Sequence, residues 1–186
     1  MPSMGNALTR AIGRAILWVT GWRVKGRPPN EKKLIAIIGP HTSNRDFIYV
    51  LGAMLSLGVR ISVMIKREAF FFPMSLLYNA IGAIPVDRSS PNDVTAQMAA
   101  EFHANDKLWL GIAPEGTRSK VGRFKKGYLR IARSAGVPIF ITALNAPARE
   151  VVLDKLWPVS DGIDEDNKAI EDYIFTNFTG VRPENQ

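Results

Sequence analysis

The sequence predicts a single α/β domain with a mixed, mostly parallel sheet flanked by helices. Short apolar runs that suit buried strands alternate with longer segments of helical periodicity along most of the chain. The 186 residues, 46% of them hydrophobic, are enough to bury one ordinary core. Because the strands and helices alternate, we expect helices on the faces of the sheet and mostly parallel strands.

The predicted elements begin near the start of the chain. Helices are predicted at residues 4–22, 46–57, 74–81, 91–104, 127–135 and 164–178. Strands are predicted at residues 34–38, 59–65, 83–86, 108–113 and 137–144. Pro91 suits the first turn of a helix, and Gly136 suits the position just after one. We therefore divide the chain into an N-terminal helix with a linker, residues 1–27, and an α/β domain, residues 28–186.

Composition limits the chemistry of this chain. It contains no cysteine, which excludes disulfides and a catalytic thiol, and its two histidines argue against a His-rich metal site. The 24 lysines and arginines outnumber the 17 acidic residues and give a formal net charge of +7. Such an excess favours an anionic partner, whether nucleic acid, a phosphorylated small molecule or an anionic membrane.

The N-terminal helix is predicted to be amphipathic. Five apolar side chains share one face, with Arg10 and Arg14 opposite: Leu8, Ile12, Ala15, Ile16 and Val19. This pattern suits a helix that lies in a membrane interface, and it equally suits a helix packed on the domain's own core. No segment offers the roughly 20 unbroken apolar residues that a transmembrane helix needs.

The most informative pair of residues is His41 and Asp46, which directly follow the predicted strand 34–38. The spacing allows a short turn to bring the carboxylate back against the imidazole. A carboxylate that accepts the Nδ1 proton leaves Nε2 free to remove a proton from a nucleophile. His103 lies in a polar helix end and is not a candidate.

Two further loops also follow predicted strands. In the first, Gly116 permits close backbone approach, Thr117 offers a hydroxyl and Arg118 can bind phosphate oxygens in a bidentate manner. Glu115 could orient Arg118 or accept a proton from a substrate hydroxyl, and more cations follow it: Lys120, Arg123, Lys125 and Lys126. The second loop contains Asp87 and Arg88, which suit either a phosphate clamp or an ion pair. Loops beyond the carboxyl ends of neighbouring strands can converge on one crevice.

Taken together and in order, four sequence blocks resemble the glycerolipid acyltransferase family, typified by 1-acylglycerol-3-phosphate acyltransferase. The blocks are residues 41–46, 82–88, 114–119 and 137–139, and the resemblance spans residues 34–144. The H-x4-D spacing is common by itself, whereas Glu-Gly-Thr-Arg following it is a specific combination. The similarity is closest to compact bacterial members of the family.

The resemblance implies an enzyme that esterifies the free hydroxyl of a lysophospholipid, with 1-acylglycerol-3-phosphate as the expected acceptor and phosphatidic acid as the product. The donor would be acyl-CoA or acyl-carrier protein, no cofactor or metal would be required, and nucleic acid would not be a partner. His41 would be the base, held by Asp46. The residues implied to bind the acceptor's glycerol phosphate are Arg88, Glu115, Gly116, Thr117 and Arg118.

The sequence also predicts where the protein acts, and it leaves two other functions open. The resemblance and the basic N-terminal helix together predict a peripheral protein of phospholipid biosynthesis on the cytoplasmic face of the inner membrane. One alternative is an acyltransferase for another lysolipid, such as lyso-ornithine lipid. A second is a non-catalytic binder of anionic lipid or nucleic acid, which the basic charge supports equally but which gives no reason for His41 and Asp46.

Overall fold

A computed structural model describes residues 1–87, 89 and 91–186. The strands are β1 (Arg23–Gly26), β2 (Lys33–Gly39), β3 (Ser62–Lys66), β4 (Ile84–Val86), β5 (Leu108–Ile112), β6 (Ile139–Asn145) and β7 (Glu150–Trp157). The α-helices are α1 (Ala7–Thr20), α2 (Asp46–Leu57), α3 (Met74–Ile81), α4 (Pro91–Ala104), α5 (Gly127–Ala135) and α6 (Ile163–Asn177). Short 3₁₀ turns cover Arg67–Ala69 and Pro183–Asn185.

The strands of the described chain form one sheet in the order β1-β7-β6-β2-β5-β3-β4. β6 pairs antiparallel with β7, and all other neighbouring strands of the described residues pair in parallel. The prediction of a mixed, mostly parallel sheet flanked by helices is therefore confirmed, and all five predicted strands are present. β1 and β7, which pair with each other at one edge of the sheet, were not predicted.

The core lies on both faces of the sheet. β2 is central and its residues 34–37 are fully buried, which explains why this strand is an unbroken apolar run. On one face, Met98 and Phe102 of α4 and Ile174 of α6 belong to the large cluster that also contains α5 side chains. Helix α5 ends at Ala135 and is followed, as predicted, by Gly136, which has the left-handed conformation (φ 64°) that glycine adopts without strain.

Helix α1 packs on α2 through only part of its surface. Gly13 and Leu17 are buried there, and a Cβ at Gly13 would come within 2.8 Å of backbone atoms of α2, so the two helices approach closely. The apolar side chains Leu8, Ile12, Trp18 and Val19 remain exposed, Trp18 to 83%. The helix thus packs on the domain and also presents an apolar surface outwards. None of the described helices is long and apolar enough to span a membrane.

Candidate active site

The turn between β2 and α2 is closed by the side chain of Asp46. This carboxylate is 1% exposed, and its Oδ2 accepts hydrogen bonds from the backbone N–H groups of Thr42 at 2.8 Å and Ser43 at 2.9 Å. Two N–H groups that would otherwise be unpaired in a buried turn are thereby satisfied. Asp46 also begins α2, where the helix dipole favours negative charge. The local sequence therefore fixes the position of the carboxylate.

The same oxygen lies 3.0 Å from Nδ1 of His41. An ionised carboxylate at this distance favours the neutral tautomer whose proton is on Nδ1 and whose lone pair is on Nε2. The His41 side chain is 22% exposed and lines a cleft. The predicted approach of Asp46 to His41 is present, and the pair has the geometry of a general base with an orienting acid.

Glu115 lies behind the backbone of His41. It follows β5, the neighbour of β2 in the sheet, and is 4% exposed. Its Oε1 accepts the His41 backbone N–H at 2.9 Å, while Oε2 is buried without a partner among the described residues. Burial raises the pKa of Glu115, and the hydrogen bond from the His41 amide opposes that rise. Glu115 therefore holds the first residue of the turn from the side of the sheet.

The residues that follow Glu115 lie at the cleft itself. Gly116, Thr117 and Arg118 are exposed and line the same cleft as His41. Gly116 has φ 65°, and a Cβ there would lie 2.8 Å from Nζ of Lys125. The backbone N–H of Lys125 donates to the carbonyl of Pro114 at 2.9 Å and closes this loop. Four of the predicted site residues are thus brought together: His41 with Gly116, Thr117 and Arg118.

The cleft has a volume of about 790 Å³ and a mixed lining. The lining includes the cations Arg118 and Lys125. Its apolar side chains are Val63, Met64, Val94, Ile112 and Ile131. A site of this size with apolar side chains and a few polar groups suits an amphiphilic ligand.

Two cleft residues were not chosen as site residues from the sequence. Lys125 was one of four cations in a basic run, and only the structure separates it from Lys126, which forms an ion pair with Asp164. Tyr128 lines the cleft although it is buried, and its hydroxyl has no partner among the described residues. Burial and nearby acids raise the pKa of Tyr128, so it remains a neutral phenol. The basic run in the sequence was the only signal for Lys125, and Tyr128 gave none.

The third predicted loop is described only in part. The Asp87 side chain is exposed and accepts the backbone N–H of Ser89 at 2.9 Å, a hydrogen bond that lowers the pKa of this carboxyl. Arg88 lies outside the described residues, so its role in binding the acceptor stays a prediction.

The fold and the His41–Asp46 pair define an α/β domain with the geometry of an enzyme's His–Asp centre. Comparison with known proteins identifies its family. The model of the Acyltransferase family matches residues 22–144, which include His41, Asp46 and residues 115–118. The chain belongs to this family, and the predicted resemblance is confirmed.

Among curated proteins, the chain is 31% identical over 143 residues to a 1-acyl-sn-glycerol-3-phosphate acyltransferase of Cocos nucifera, a match that covers 73% of this chain and 45% of that protein. It is 28% identical over 145 residues to a protein of the same name from Pseudomonas aeruginosa, over 72% of this chain and 55% of the relative. The chain therefore spans about half the length of the curated relatives that it matches.

A solved structure has the same fold. The crystal structure of the 1-acyl-sn-glycerophosphate (LPA) acyltransferase, PlsC, from Thermotoga maritima superimposes with a TM-score of 0.61 at 19% sequence identity. The match covers 89% of this chain and 75% of that one. At this identity the likeness concerns the fold of the chain.

Proposed function

We propose that this protein transfers an acyl group from an acyl thioester, acyl-CoA or acyl-carrier protein, to the free hydroxyl of 1-acylglycerol-3-phosphate, giving phosphatidic acid in phospholipid biosynthesis. The observation that carries the proposal is the 3.0 Å approach of His41 Nδ1 to Asp46 Oδ2 beside a cleft lined by apolar side chains and by the cations Arg118 and Lys125. The names of the curated relatives support the choice of acceptor.

The reaction needs one proton carrier. Nε2 of His41 takes the proton of the acceptor hydroxyl as the oxygen attacks the thioester carbonyl carbon. The tetrahedral intermediate then collapses, the C–S bond breaks, and the imidazolium returns its proton to the departing thiolate. Asp46 stabilises the imidazolium through its charge and holds the ring in one tautomer. Backbone amides or nearby cations stabilise the oxyanion.

The acceptor phosphate binds at the cations of the cleft lining. Arg118 offers paired N–H donors that match phosphate oxygens, and Thr117 adds a hydroxyl. Lys125 adds a second positive charge to the lining, and Arg88 is predicted to contribute from its own loop. Glu115, although implied by the family resemblance to bind the acceptor, acts in this proposal through its hydrogen bond to the His41 backbone.

The test is thioester-dependent acylation by purified protein. With lysophosphatidic acid and acyl-CoA, thiol release and phosphatidic acid should appear together, and His41→Ala should abolish both. His103→Ala is the matched control, because His103 is exposed on α4 away from the cleft lining. Turnover retained in His41→Ala would reject its role as base. A panel that includes lyso-ornithine lipid decides the acceptor, and absence of thiol release with every acceptor favours a non-catalytic lipid binder.

The protein works as a peripheral protein on the cytoplasmic face of the inner membrane. Support comes from α1, whose exposed apolar residues Leu8, Trp18 and Val19 lie on the same helix as the exposed cations Arg10 and Arg14. Apolar side chains that enter the interface beside cations that meet lipid phosphates would hold the domain on an anionic leaflet. Sedimentation with anionic and with purely zwitterionic vesicles tests this. A protein that binds neither kind of vesicle contradicts it.

A further inference from the structure

Thr42, between the two proposed catalytic residues, is held by a segment from the other end of the chain. It is 2% exposed, and its Oγ1 accepts the backbone N–H of Arg182 at 3.0 Å. Its carbonyl accepts a hydrogen bond from Nδ2 of Asn185 at 3.1 Å. With its own N–H bonded to Asp46, Thr42 has its backbone donor, its backbone acceptor and its hydroxyl oxygen all engaged. Ser43 is bonded at the same three positions, but its partners, Asp46 and Arg45, lie within the turn, whereas Thr42 is also held from outside it.

We name this segment, residues 178–186, the C-terminal strap. Its first residue, Phe178, is buried in the core, and the carbonyl of Thr179 accepts the N–H of Ala146 at 2.8 Å just beyond β6. The side chain of Gln186 closes the strap on itself, through Oε1 to the N–H of Gly180 and Nε2 to the carbonyl of Phe178, both at 2.9 Å. The strap is therefore anchored to the sheet before it reaches the turn.

The strap and the turn are also closely packed. A Cβ at Gly180 would lie 2.6 Å from Oγ1 of Thr42, a distance that forces one of the two to move. A shift of Thr42 would lengthen the hydrogen bond from its N–H to Oδ2 of Asp46, and that oxygen is the one that lies against His41. A displacement of the strap would thus reach the imidazole through Thr42 and the Asp46 carboxylate.

We propose that the C-terminal strap is a positioning element for the His41–Asp46 pair, with Thr42 and Asn185 as positioning residues. In its kinetic consequence the inference rests on the proposed acyl transfer. Freed from the strap, the turn would sample orientations in which the ring is misplaced relative to the acceptor hydroxyl, and small misplacements of a catalytic group are costly. Substrate binding by Arg118 and Lys125 would not change, because no residue of the strap belongs to the lining of the cleft.

The first experiment compares Asn185→Ala with Asn177→Ala. Asn177 also donates from its side-chain amide to a backbone carbonyl, that of Tyr173 at 2.8 Å, and this hydrogen bond lies within α6 rather than at the turn. We expect kcat of Asn185→Ala to fall about tenfold with both KM values unchanged, and Asn177→Ala to match the wild type. Amide hydrogen exchange should become faster at Thr42 and Ser43 in Asn185→Ala alone.

The second experiment separates positioning from folding. Thr42→Val keeps the shape but removes the hydroxyl, whereas Thr42→Ser retains it, so Ser should restore the kcat that Val loses. Unchanged kcat per folded molecule in Asn185→Ala and Thr42→Val, even with a lower melting temperature, overturns the inference. If the wild type fails to acylate lysophosphatidic acid, the proposed function fails, and the exchange rates at Thr42 and Ser43 still decide: faster exchange supports the coupling, and unchanged exchange overturns it.

Discussion

Replacement of Asp46 distinguishes the structural role of this carboxylate from its chemical one. Its Oδ2 accepts hydrogen bonds from the backbone N–H groups of Thr42 and Ser43 and lies 3.0 Å from Nδ1 of His41, while Oδ1 has no partner among the described residues. In Asp46→Asn the amide oxygen can take the place of Oδ2 and keep all three contacts. In Asp46→Ala all three acceptor contacts are lost.

The magnitudes follow from these contacts. Asp46→Ala leaves two buried N–H groups unpaired at about 1–3 kcal/mol each, so the free energy of unfolding should fall by about 2–6 kcal/mol, a large part of a typical domain's 5–15 kcal/mol. Asp46→Asn should lower the free energy of unfolding by only about 1–3 kcal/mol, the cost of burying its NH₂ group without an acceptor at the position of Oδ1. Without the charge opposite the imidazolium, however, kcat should fall by roughly 10²–10⁴.

Two measurements decide between the roles. Urea denaturation gives the free energy of unfolding of both variants, and thiol release under saturating acceptor gives kcat for the Asn variant, which remains folded in the assay. Activity of Asp46→Asn within about threefold of the wild type would refute the role of the charge in stabilising the imidazolium. Wild-type stability of Asp46→Ala would refute the capping of the turn.

Three further predictions concern the cleft wall, the N-terminal helix and the buried acid. Lys125→Met should raise the KM for lysophosphatidic acid about tenfold, whereas Lys126→Met, which removes a cation already in an ion pair, should leave it unchanged. Equal effects of the two would contradict the assignment. Trp18→Ser should weaken binding to anionic vesicles about tenfold, and Leu156→Ser, on an exposed strand position, should not; steady-state sedimentation measures both. Burial raises the pKa of Glu115 in the folded protein above its ordinary 4.5. The contribution of the neutral carboxyl to the free energy of unfolding is therefore complete below pH 4.5 and is lost as the pH rises through the pKa of the folded state. The free energy of unfolding of Glu115→Gln relative to wild type should therefore increase with pH above 4.5, and a constant difference would contradict the raised pKa.

Much of the fold and the arrangement of the site could be predicted because both follow from local patterns. The apolar run of β2 is unbroken because both faces of a central strand are buried. The carboxyl ends of parallel β2 and β5 meet at one edge of the sheet, so the residues after them, His41 and Arg118, had to lie near one crevice.

The parts that were missed depend on contacts distant in sequence. β1 consists of Arg23, Val24, Lys25 and Gly26, which give no apolar alternation, and it becomes a strand because β7 pairs with it. The hydrogen bond that Glu115 accepts from the His41 backbone was also not predicted, because the two residues are 74 positions apart. Such a bond has no signature in the spacing of nearby residues.

Helix α1 illustrates a different limit. Periodicity correctly placed its apolar side chains on one face, but it did not reveal that Gly13 and Leu17 would form the contact with α2. A glycine contributes nothing to an apolar pattern, although its missing Cβ is what lets the helices approach. The side chains that define the pattern, Leu8 and Val19 among them, face outwards instead.

The H-x4-D spacing itself has a structural explanation. One carboxylate oxygen must reach both the ring of His41 and the two N–H groups that close the turn, and Asp46 at the start of α2 does so from a helix whose N-terminus favours its charge. Folding of the turn and orientation of the proposed base therefore depend on the same atom, so the hydrogen bonds of the turn favour this spacing in addition to any need of the proposed reaction.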